Sequence, residues 1–124
     1  MGLDTTHDCW HGAYSGFAAW RQILAEADGR TTYHPQKDYE WCNYQGMWYD
    51  DPDDILDVLL IHSDCDGFLF PRHLGPLSVR LEELMPKIPE DWQEKTQEFI
   101  DGLRSACNRE SDGGYYGYDV VQFR

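Results

Sequence analysis

The stretch PEDWQEKTQEFIDGLRSAC, from Pro89 to Cys107, sets the reading of the whole chain. Pro89 followed by Glu90 and Asp91 makes a helix start, because proline presets the backbone of a first turn and carboxylates favour the positive end of the helix dipole. Trp92, Thr96, Phe99, Ile100, Leu103 and Cys107 then recur at helical spacing and form one apolar stripe, which makes Cys107 a core residue. A helix striped in this way must bury that face against other elements.

Those elements are sought on either side. Pro71 or Pro76 opens a preceding helix, with Leu77, Leu81 and Leu84 at helical spacing and Pro86 stopping it. Asp66-Gly67 is a turn signal before the short apolar run Phe68 to Phe70. Asp51-Pro52 starts a helix over Pro52 to Ile61, apolar round most of its circumference; the competing reading makes Asp57 to His62 an inner strand. Nearer the start, Ser15 can cap a helix carrying Phe17, Trp20, Ile23 and Leu24, which Asp28-Gly29 ends. Leu3 to Trp10 alternates as a strand, with Leu3, Thr5, His7 and Cys9 on one face. Arg30 to Tyr49 reads as strand fragments and loops. After Asp112-Gly113-Gly114, the stretch Tyr115 to Phe123 reads as a strand. The pattern predicts a single α+β domain over residues 1–124, with three to four helices packed on a short, mostly antiparallel sheet of N-terminal, central and C-terminal strands, the two terminal strands paired.

Composition narrows the function. Ten Lys and Arg stand against 23 Asp and Glu, a formal charge of -13, which opposes direct binding to nucleic acid, where cationic contacts and counterion release supply the affinity. Seven of the acids fall between Asp50 and Asp66, so that face reads as strongly negative. No apolar run approaches the 18 or so residues of a membrane span, and no signal-peptide pattern opens the chain. Met1 to Thr6 fits the loose N-myristoylation pattern, which is too short to carry weight. Cys9, Cys42, Cys65 and Cys107 form no Cys-x-x-Cys pair, so reduced cytosolic thiols are the expectation, and the missing apolar run implies no membrane partner.

Two clusters carry chemistry. His62-Ser63-Asp64-Cys65-Asp66-Gly67 has, through His73, the spacing of a calcium-binding EF-hand loop, but His62 stands where an aspartate belongs and His73 where a bidentate glutamate belongs. Imidazole and thiolate suit zinc better; the plainer reading is a turn in which Asp64 and Asp66 bond backbone amides. His7-Asp8-Cys9-Trp10-His11 is the second cluster. On a strand His7, Cys9 and His11 share a face, although three such positions span about 13 Å, too far for one ion without a bend. A zinc set of His7, His11, His62 and Cys65 is one expectation, and a cysteine nucleophile with a histidine base is another. Trp10, Tyr14, Trp41, Tyr44, Trp48, Tyr115, Tyr116 and Tyr118 exceed the needs of a small core and can wall a pocket for a planar ligand.

The motifs GLDTTHDCWHGAYS (Gly2 to Ser15) and HSDCDG (His62 to Gly67), with Arg80 to Leu84 and Trp92 to Leu103, resemble a family of small uncharacterised proteins found in phages, prophages and bacteria. The resemblance implies a mobile-element setting, in which small proteins often counter host defence by gripping a host protein or sequestering a nucleotide-derived signal; it assigns no catalytic residue. The leading expectation is therefore a small-molecule-binding protein, leaning away from enzyme, with homo-oligomer formation open. Its ligand would be nucleotide-like, held by His7, Cys9, Trp10, His11, Tyr14, Trp48, His62, Asp64, Cys65 and Asp66. A phosphate would draw on Arg21, Arg30, Arg72 or Arg80. The alternatives are a metal- or cysteine-dependent hydrolase and an acidic inhibitor that masks a basic partner through Asp50 to Asp57.

Overall fold

The structure is a computed structural model and describes residues 2–30, 54–60, 62, 67–108 and 120–123. Among the described residues, four α-helices and two antiparallel strand pairs make an α+β fold, as the pattern predicts. The strands do not form one sheet among these residues. β1 (Gly2–Asp4) pairs with β2 (His11–Ala13), and β3 (Phe68–Leu69) pairs with β4 (Val121–Gln122). A single bridge between Thr5 and Phe123 joins the two pairs, so the chain's two ends do meet. The Gln122 backbone N–H seals that junction by donating to Thr6 Oγ1 at 2.9 Å.

α1 spans Tyr14–Ala27, two residues earlier than a Ser15 cap allows; Ser15 lies within the first turn, and Ala13 precedes the helix without a side-chain cap. Its end follows the expected logic. Gly29 adopts φ 81°, its N–H donates to Glu26 O and the Arg30 N–H donates to Ala25 O, which is the Schellman arrangement. α2 is the short helix Leu56–Leu60, so the strand alternative fails there; Asp54 Oδ1 accepts from the Leu56 N–H at its start. Asp51 and Pro52 lie outside the described residues. α3 (Pro71–Leu84) starts at Pro71 and contains Pro76, and α4 (Glu90–Asn108) follows a 3-10 turn at Met85–Lys87.

α3 and α4 form the main helix pair. α4 buries Thr96, Phe99, Ile100, Leu103 and Ala106, so its stripe ends on Ala106, and Cys107 is exposed instead of core. The core is aromatic at its centre: Trp20 meets Phe99 at 4.7 Å, Trp10 at 5.2 Å and Phe17 at 5.9 Å between centroids, and Phe17 reaches Phe123 edge-on. Trp20 Nε1–H donates to Thr96 Oγ1 at 2.9 Å, satisfying the one polar atom that this large ring brings inside.

The expected negative face is largely neutralised where it is described. Arg30 meets Asp28, Asp54 and Asp57, and Arg80 meets Asp28 and Asp54, which ties the end of α1 to α2 and α3. Burial works against the charged form of Asp28, yet hydrogen bonds and charge from Arg30 and Arg80 outweigh it and hold this carboxyl below its ordinary range. A carboxyl depressed on folding stabilises the fold above its unfolded pKa of about 3.9, and the contribution falls away as pH drops through the lower folded value. Thermal melts are therefore expected to keep their midpoint from pH 7 to about pH 5 with respect to this network and to lose stability below about pH 4. Asp28→Asn should flatten that acid limb.

Candidate functional site

The N-terminal cluster does not lie on one strand. The Thr5 N–H donates to Trp10 O at 3.0 Å, and Thr5 Oγ1 accepts from the Trp10 N–H at 2.9 Å, which clamps the two residues together. The intervening residues must then turn, and Thr6–Asp8 form a 3-10 turn in which His7 and Asp8 take left-handed φ values of 60° and 57°. Such backbone is strained for residues with a Cβ and persists where packing fixes it. Here α4 fixes it. A Cβ on Gly102 would lie 2.5 Å from Cys9 Sγ and 2.9 Å from His7 O, so the turn sits directly on the glycine's bare backbone.

The bend corrects the shared-face expectation. Cys9 points into the core, His7 is half-buried with its Nδ1 enclosed and without a hydrogen-bond partner among the described residues, and His11 is exposed on β2. Burial pushes the Cys9 thiol up to about 12, the Asp8 charge adding to the effect and a hydrogen bond with Thr5 opposing it. At neutral pH it is neither thiolate nucleophile nor ready metal ligand.

His62, the described side chain of the His62–Gly67 cluster, is fully buried with its ring 4.1 Å from that of Phe123. Its Nε2–H donates to Phe68 O at 2.9 Å. His73, at the other end of the EF-hand-like spacing, is also buried, and its Nδ1 accepts from the Phe70 N–H at 3.3 Å at the start of α3. Both histidines are engaged with backbone and with rings of the core. Asp64, Cys65, Asp66 and Trp48, with Trp41, Tyr44, Tyr115, Tyr116 and Tyr118, lie outside the described residues. Among the described residues no three His, Cys, Asp or Glu side chains converge as a metal site. Of the arginines named for a phosphate, Arg30 and Arg80 serve the aspartates, and Arg21 is buried, donating to Leu59 O, Leu60 O and His62 O at the end of α2.

Two open grooves flank the β1–β2 hairpin where it meets α4, and His11 lines both. One, about 460 Å³, is bounded by His7, Asp8, Glu98 and Asp101. His11 closes its rim: Nδ1 faces the Asp4 carboxylate and Nε2 faces Asp8 at 3.1 Å. The other, about 450 Å³, is lined by Trp10, Gly12, Gly16, Asp91, Trp92 and Lys95. Lys95 Nζ lies 4.5 Å from the centroid of the Trp10 ring and donates to His11 O at 3.1 Å. Trp10 and His11 belong to the expected set; Tyr14 is half-buried against the core at the start of α1. Lys95 and the wall formed by Trp92 were not singled out as site residues, though their three-residue spacing on α4 puts both on one side of the helix.

Among the described residues no helix is long and apolar enough to cross a membrane, and Val79 is the one large apolar side chain left exposed. No protein-family model, curated protein or solved structure matches the chain.

Proposed function

We propose that this protein binds a small planar ligand of nucleotide-like chemistry in the groove between the β1–β2 hairpin and the first turns of α4, and acts by sequestering it in the bacterial cytoplasm. The observation that carries the reading is the meeting of Trp10, Trp92 and Lys95 around a space of about 450 Å³, within the range of small-molecule sites. The half-buried Trp92 indole offers apolar surface for a ring, the edge of the buried Trp10 borders the same space, and Lys95 is a cation in a chain of formal charge -13. The resemblance to phage and prophage proteins supports a defence-countering role for such sequestration. The buried, protonated Cys9 lends no support to a cysteine hydrolase built on that thiol.

Thermal shift against nucleosides, nucleoside monophosphates and cyclic nucleotides tests the reading. A ligand at 100 times its Kd adds about 2.7 kcal/mol to stability, an increase in Tm of roughly 10 °C for a chain of this size. A panel without any shift, confirmed by calorimetric titration, removes the reading.

A further inference from the structure

The Trp10 indole N–H is buried and has no hydrogen-bond partner among the described residues, on a residue only 3 % exposed. Its ring edge faces two glycines of the groove wall. A Cβ on Gly12 would lie 3.5 Å from Nε1, and one on Gly16 would lie 3.8 Å from Cζ2. The missing side chains leave a notch beside the ring, and Lys95, on a flexible four-carbon stem, lies across the ring as a movable cover. Its ammonium carries three donors, of which the His11 carbonyl takes one.

We infer that this notch is an oxyanion anchor: a single anionic oxygen group of the ligand accepts from Trp10 Nε1–H and from the Lys95 ammonium, while the ring that bears it lies along Trp92. The inference rests on the groove being the ligand site and specifies what that site reads. A buried donor without an acceptor is unfavourable, so a ligand oxygen that supplies one gains more than it would at an exposed surface. The charge of Lys95 strengthens the same contact. Asp91 on the groove wall limits the anchor to one such group, because added negative charge meets a carboxylate. The shared chemistry is an aromatic ring bearing one phosphate or one carboxylate.

Tryptophan-fluorescence titration of the full chain with AMP, adenosine, indole-3-acetate and inorganic phosphate tests it. At least one of AMP and indole-3-acetate is expected to bind about tenfold or more tighter than adenosine. A response to AMP alone assigns phosphate, and a response to indole-3-acetate alone assigns carboxylate. Lys95→Gln should abolish the preference over adenosine, and Lys95→Arg should keep part of it. Gly16→Ala suits the first turns of α1 and should preserve the melting temperature while weakening anion binding about tenfold. Affinity for neither AMP nor indole-3-acetate above that for adenosine, unchanged by Lys95→Gln, overturns the anchor and leaves the groove as a ligand site. Silence of the whole panel overturns both.

Discussion

Replacing Arg21 with methionine is expected to lower stability by about 3 kcal/mol, a fall in Tm of roughly 10 °C, without altering the helical content of the folded state. The guanidinium is 2 % exposed and lies 4.5 Å above the Phe17 ring. From there its NH1 group donates to His62 O at 2.6 Å, to Leu60 O at 3.2 Å and weakly to Leu59 O at 3.5 Å. These are carbonyls at the C-terminal end of α2, where a helix has no backbone donors of its own and where a cation is favoured. Methionine fills a similar volume, so the loss reports the buried carbonyls that remain and not a cavity. Denaturant melts with an unchanged m-value would confirm that the folded state is retained. A loss below about 1 kcal/mol would mean that water or another donor takes over those carbonyls.

Gly102→Ala is the second large effect. Alanine normally improves a helix interior by about 0.5–1 kcal/mol over glycine. On α4 the new Cβ would meet Cys9 Sγ at 2.5 Å, His7 O at 2.9 Å and Cys9 Cα at 3.0 Å, mostly atoms without freedom to rotate away. The turn must lift from the helix, and overpacking of this kind costs about 1–3 kcal/mol. Because the turn carries β2, the lift also widens the groove between Gly12 and Lys95, so ligand response should weaken with stability. A diagnostic sign is thiol reactivity at Cys9, followed by mass mapping of the labelled peptide: buried Cys9 is expected to be inert in the native chain, unlike the exposed Cys107, and to become accessible in Gly102→Ala.

The helical frame was legible because its signals are local. The prolines at Pro71 and Pro89, the Asp28-Gly29 stop and the stripe on α4 each depend on neighbours within a turn or two. What escaped depends on distant partners. His7 and Asp8 are residue types that tolerate left-handed backbone, but no local signal requires it of them; a clamp by Thr5 and a bare glycine nearly a hundred residues away impose it. Arg21 reads in the sequence as a cation open to a ligand phosphate, because the α2 carbonyls that take its donors lie about forty residues away. Asp54 and Asp57 read as a negative face because the arginines that neutralise them come from α3 and from the end of α1. The same distance hid the groove: Trp10 and Lys95 lie on separate elements, and only the fold sets one over the other.

The central claim is that ligand meets the Trp10 edge in the groove beside α4. Its most direct test is the indole N–H resonance of Trp10 in a two-dimensional ¹⁵N–¹H spectrum, assigned by its loss in Trp10→Phe and followed as AMP or indole-3-acetate is added. The expected result is a saturable shift of the Trp10 resonance, while that of Trp20, bonded to Thr96, stays in place. A ligand that binds with the Trp10 resonance unmoved would contradict the account.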